Sequence, residues 1–230
     1  MGKRIIQRAR GKGGPTYRSP GHRFAGAVKY PPEGKAEVVD IINDPARDAP
    51  LAKLRMEDGK EILIIAAEGL RVGTLLDVGK TPAVGNILPL SAIPKGSYIF
   101  AIENIPGKGP QLCCAAGTHA IMVSHEPGKV IVQMPSKKFK NFNPKCMATI
   151  GVPAGSGRKE KPFVKAGQAY HRHHARNKLY PRTSAVSMNP VDHPFGGQTK
   201  PGQPKSKSRW APPGAKVGSV APRRMGRKKR

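Results

Sequence analysis

Four groups of side chains in this sequence have the types and spacing that chemistry needs. His171 and His174 stand three residues apart, which on a helix puts both imidazoles on one face, and His193 follows at a distance. That is the spacing of a zinc-ligating pair. Asp192 and His193 set a carboxylate beside an imidazole between Pro190 and Pro194, the residue types of a hydrolytic dyad. Cys113 and Cys114 are adjacent thiols, and "GVPAGSGRKEKP" (151–162) is a glycine-rich run ending in cations, the composition of a phosphate loop.

Each group meets a physical objection. No HExxH glutamate accompanies the histidines, and Arg172 and Arg176 between and beside them would repel a dication. Sequence neighbours in an extended chain point to opposite sides, and Pro194 biases His193 towards extended backbone, so an Asp192–His193 hydrogen bond is unfavourable. A GxSxG nucleophile elbow does not occur. The three cysteines, with Cys146 the third, form neither an even disulfide framework nor a CxxC pair, and read as reduced, buried thiols of an intracellular protein. The glycine run lacks GxxxxGK[ST] and leads into Pro162 where a phosphate loop would open a helix. The sequence therefore predicts no catalytic residue and no metal ligand.

The charge points elsewhere. The 230 residues carry a formal net charge of +27, with 27 glycines and 24 prolines. Residues 1–35 hold nine Lys/Arg against one acid, 36–135 nine against eleven, and 136–230 twenty-three against two. A near-neutral middle suits a folded domain, whereas flanks that repel themselves need a polyanion to order them. No segment approaches the ~20 apolar residues of a membrane span. The start lacks the apolar stretch of a secretory signal. Met1-Gly2 has Ile6 where an N-myristoylation signal needs Ser or Thr. The basic stretches are broken by Gly and Pro and present no amphipathic helical face, which favours nucleic acid over a membrane surface.

The elements that must position these residues follow from texture. Residues 1–35 show neither helical nor strand period and read as an irregular basic arm, in which Tyr17 and Phe24 offer flat faces for stacking. From 36 onward come short Val/Ile/Leu-rich runs such as "AEVVDII", "KEILIIA" and "KVIVQM", punctuated by turns such as "EDGK" and "HEPGK". Strands without intervening helical pattern predict a mainly β fold of small antiparallel barrels. "GNILPLSAIPKGS" (85–97), with Pro89 and Pro94, reads as a seam, so a boundary is expected near Leu90, giving segments 36–90 and 91–180. One short helix is expected at 167–179, stopped by Pro181. Residues 181–230 hold eight prolines and few aliphatic clusters, and are expected to be an extended basic tail.

Three blocks then carry a resemblance: "GHRFAGAVKY", "GSGRKEKPFVKAGQAYHRHHARNK" and "VSMNPVDHPFGG". In that order, and over nearly the whole chain, they closely resemble the family of universal large ribosomal subunit protein two in its archaeal and eukaryotic-type form. The resemblance implies an OB-fold barrel followed by an SH3-like barrel, with basic extensions running into large-subunit rRNA. It implies a primary rRNA binder that supports assembly and subunit association, with the loop carrying His193 near the peptidyl transferase centre. Phe195 departs from the bacterial HPHGG pattern, which puts in doubt any role that needs two imidazoles.

The residues expected to contact RNA are spread along the chain. The arm supplies Arg8, Arg10, Lys12, Tyr17, Arg18, His22 and Arg23, and the glycine run Arg158 and Lys159. The helix supplies Arg172, His173, Arg176 and Asn177. The loop supplies Asn189, Asp192, His193 and the Gly196-Gly197 pair, read as permitting close backbone approach. The tail supplies Arg209, Trp210, Arg223 and Arg224. Expected partners are large-subunit rRNA, neighbouring ribosomal proteins and the small subunit at an intersubunit bridge, with no membrane and no homo-oligomer. No cofactor is expected, Mg2+ bridging to rRNA being left open, and the expected location is the ribosome in the cytoplasm.

Overall fold

Alternation of side chains along the first long strand sets the pattern for the whole β region. In a computed structural model that describes residues 4–199 and 204–222, strand β1 (Gly34–Ile42) buries Ala36 and Val38 and leaves Glu37 between them exposed. That is the period-two signature of a sheet with one wet face. A bulge between Val38 and Asp40 shifts the register against β2 (Leu51–Met56), which in turn pairs antiparallel with β3 (Glu61–Ile65). On its other side β1 pairs antiparallel with β4 (Leu75–Val78).

The strand β5 (Ile87–Pro89) lies inside the stretch expected to be a seam. It pairs antiparallel with β10 (Met147–Ile150) and meets β4 in parallel through Val78 and Ile87. Pro89 ends the strand and Pro94 opens the turn that leads into the next one, and Ile87 and Leu88 are fully buried. Beyond β10 the order continues through β6 (Tyr98–Phe100), β7 (Ala120–Glu126), β8 (Lys129–Gln133) and β9 (Phe139–Phe142), all antiparallel. The fold is mainly β, an OB-type barrel followed by an SH3-like barrel, as the sequence leads one to expect.

Packing divides accordingly. One core cluster gathers Val38, Leu54, Ile64, Leu76, Val78 and Ile87, and another gathers Leu88, Ile99, Met122, Val132, Phe142 and Ile150. A third, built on Leu51, Ile65 and Phe100, draws on strands from both sides of β5. The buried carboxylates are met by backbone N–H groups, as low-dielectric burial requires. The Glu103 carboxylate accepts N–H bonds from Gly107, Gly109 and Met147 at 3.2, 2.7 and 3.0 Å. Asp44 accepts from the Ala46 N–H at 3.0 Å and pairs with Arg47. The Tyr30 hydroxyl donates to the Ala101 carbonyl at 2.5 Å, and burial pushes its phenol far above the ordinary tyrosine range.

The chain separates into two compact units, residues 20–168 holding the barrels, and residues 1–19 together with 169–230. The second unit departs from the expectation of structureless arms. Helix α1 (Ile6–Gly11) forms in "IQRARG", where Gln, Arg and Ala are good helix formers, a local preference that charge and glycine content around it obscure. In the tail, β11 (Ser206–Lys207) and β12 (Ser219–Val220) pair in parallel, and Val217 is buried. Phe195 and Val217, distant in sequence, are both buried in this unit, which no local pattern announces. No helix among the described residues is long and apolar enough to cross a membrane.

Candidate nucleic-acid interface

The site grows from a short helix whose end is set by one asparagine. Helix α2 (Ala166–Ala175) stops four residues before the expected end at 179. Asn177 adopts the left-handed conformation at φ 49°, which Asn tolerates better than most residues, and the Lys178 N–H turns back to the His173 carbonyl at 2.9 Å. The Asn177 side-chain amide donates to the Arg18 carbonyl at 2.9 Å, tying the N-terminal arm to the end of the helix. The arm is itself folded there, because the N–H groups of Tyr17 and Arg18 both reach the Gly14 carbonyl.

Rings gather around this junction. Tyr170 and His174 are four apart on one helix face and stack at 5.8 Å with planes 22° apart. His173 stacks on Tyr180 at 5.0 Å and 12°. His171 meets Tyr170 edge-on at 5.5 Å. The two histidines with zinc-pair spacing are thus engaged with a tyrosine, and no group of three metal-binding side chains exists among the described residues. Tyr17, Tyr170, His174 and Tyr180 wall a cavity of about 280 Å³. Tyr170 and Tyr180 are members that sequence reading overlooked; the i,i+4 spacing of Tyr170 and His174 was the available signal.

The "MNPVDHPFGG" loop is closed upon itself. The N–H groups of Asp192 and His193 both point at the Asn189 carbonyl, at 3.0 and 3.1 Å, and Gly197 N–H reaches Met188 O at 3.2 Å. A side chain at Gly196 would collide with the Asn189 carbonyl and Met188 oxygen. The space that Gly196 leaves is taken by the loop's own backbone, which is the physical use of this glycine within the chain. His193 is 4 % exposed and Phe195 3 %; their rings lie 5.0 Å apart, and His193 Nδ1 accepts the Phe195 N–H at 3.0 Å. That hydrogen bond occupies Nδ1 as an acceptor and leaves it unavailable to Asp192. Phe195 also packs where Gly218, at φ +79°, has no side chain to obstruct it.

The remaining expected contacts fall as follows. Arg8, Arg10, Lys12, Arg18, His22 and Arg23 are exposed, the first two on α1. Asn189 is exposed and Asp192 half-buried. Arg158 turns back to Asp48 at 2.5 Å, so its charge is partly spent within the barrel unit. Arg172 and Arg176 are half-buried on α2 and just after it. Arg209 is exposed, and Trp210 is 87 % exposed. Arg223 and Arg224 lie outside the described residues, as does the Lys159 side chain.

Together these observations define a class: a mainly β protein carrying cationic, ring-lined extensions, built to bind a polyanion with flat groups. Comparison with known proteins specifies it. Residues 4–77 match the family described as Ribosomal Proteins L2, RNA binding N-terminal domain, and residues 83–216 match Ribosomal Proteins L2, C-terminal domain. The chain is 48 % identical to the large ribosomal subunit protein uL2 of Methanothermobacter thermautotrophicus, with all of both chains covered. It is 45 % identical to that of Methanopyrus kandleri over 99 % of this chain and 98 % of that one, and 47 % identical to that of Methanothrix thermoacetophila over 99 % and 100 %. The chain belongs to the ribosomal protein L2 family.

Proposed function

We propose that this chain is a structural component of the large ribosomal subunit that binds rRNA early and holds its fold. The match of residues 4–77 to an RNA-binding domain carries the reading, and the +27 charge supports it. The barrels serve as a rigid platform, and the extensions displace counterions from phosphates. Phosphate contacts supply affinity, while rings and backbone supply register. Its partners are large-subunit rRNA, neighbouring ribosomal proteins and the small subunit at a bridge between subunits, and it works as a single copy in the cytoplasmic ribosome. It requires no resident cofactor, any Mg2+ serving to bridge protein and rRNA.

In this reading the chain is not an enzyme. The His193 imidazole is buried and its Nδ1 is occupied by the Phe195 N–H, an arrangement that supports a role in shaping the loop near the peptidyl transferase centre. Two experiments test this. Sucrose-gradient sedimentation of the native protein should find it with the large subunit through a moderate salt wash; free sedimentation would defeat the reading. Replacing His193→Gln should impair assembly while leaving turnover near normal in particles that form. A loss of about 10²–10⁴ in peptide-bond rate in such particles would instead reveal a general base.

A further inference from the structure

We infer that the cleft between the N-terminal arm and the end of α2 is a pocket for one unstacked nucleotide of RNA, its base among Tyr17, Tyr170, His174 and Tyr180 and its phosphate beside Arg10, Arg176 and Lys178. The inference rests on the reading of this chain as an rRNA binder and gives that reading a specific subsite. Its first support is the pairing of two compartments. The ring-walled cavity of about 280 Å³ shares Tyr17, Asn177, Lys178 and Leu179 with a neighbouring open cavity of about 510 Å³. The second cavity is lined by Gln7, Arg10 and Arg176, and holds no tyrosine other than the shared Tyr17. A flat aromatic cavity that shares four lining residues with a cationic one is complementary to a base attached to its phosphate.

Size and preorganisation argue the same way. At about 280 Å³ the ring-walled cavity lies close to the ~300 Å³ at which pockets for small molecules begin, room enough for a nucleobase. Its walls are held before any ligand arrives. Tyr170 rests on His174, Tyr180 on His173, and the Asn177 amide clamps the arm that carries Tyr17. A duplex cannot place a base in such a chamber without extruding it, so the site selects a nucleotide already unstacked in a loop or bulge.

The test uses the full chain, a short single-stranded RNA and a large-subunit rRNA fragment, titrated over a range of salt. Tyr17→Leu and Tyr170→Leu keep bulk but remove the flat faces, and thermal melting establishes that each variant is folded. Each should weaken binding of both RNAs about fivefold or more while leaving the log–log salt slope unchanged. Lys178→Gln should reduce the magnitude of that slope by about 1. Adenosine monophosphate, offered as a competitor, should displace RNA only weakly, since it lacks the flanking phosphates. Wild-type affinity in both folded leucine variants would overturn the inference while leaving the rRNA-binding reading intact. Competition by the free mononucleotide at concentrations equal to the RNA would overturn its assignment to RNA. Failure of the wild-type chain to bind the rRNA fragment would remove the reading itself, and the subsite with it.

Discussion

Two glycines, alike in composition, have opposite futures when given a methyl group. At Gly167, near the start of α2, an added Cβ meets nothing within 4 Å, so Gly167→Ala should raise stability by roughly 0.4–1 kcal/mol through loss of unfolded-chain freedom. At Gly196 it meets the Asn189 carbonyl, and Gly196→Ala should instead lower the melting temperature and expose the loop to amide hydrogen exchange. A Gly196→Ala protein as stable as wild type would show that the loop closes differently. The thiols offer a second check. Burial, with the neighbouring Cys114 adding to it, pushes Cys113 up to about 11, and burial pushes Cys114 up to about 11 as well. Their raised values mean that the unfolded chain loses these protons first as pH rises. Folded stability should therefore fall between about pH 9 and pH 11 and be flat below, as urea denaturation at pH 7, 8.5 and 10.5 would measure. At neutral pH both thiols should react slowly with alkylating reagents.

Elements were legible where pattern was local and obscured where it was not. Val/Ile/Leu-rich runs bounded by turns, such as "AEVVDII" and "KVIVQM", announced β1 and β8, because β-branched side chains suit a half-buried pleated surface. Leu54, fully buried in β2, tests that core: Leu54→Ala should cost about 2–5 kcal/mol, whereas changing its exposed neighbour Arg55 should fall within roughly 0.5 kcal/mol. The end of α2 was misplaced because Pro181 is the louder signal. Asn177 ends the helix earlier by accepting a left-handed backbone and clasping Arg18. Asn177→Ala should destabilise by about 1–2 kcal/mol, while Asn177→Gly, which relieves the backbone but drops the clasp, should keep most of the stability. Both should speed tryptic cleavage at Arg18, read by mass spectrometry. An unchanged cleavage rate would show that the amide does not hold the arm.

Across the molecule the charge is segregated, and its consequence is a salt dependence. If the extensions neutralise about ten phosphates, the log of rRNA affinity should fall against the log of salt with a slope of about −7 to −9. A slope near −2 would leave most of the cationic surface without a function. The sequence by itself determined the polyanion partner, the mainly β middle and the family, because net charge, β-branched runs between turns and contiguous motifs are properties of the chain in order. Only the tertiary structure decided that His193 turns inward on Phe195, that Gly196 yields its space to Asn189, and that Tyr17, Tyr170 and Tyr180 line one cavity. Those facts depend on which distant residues share a volume, and packing in three dimensions is not written in the spacing of any one segment.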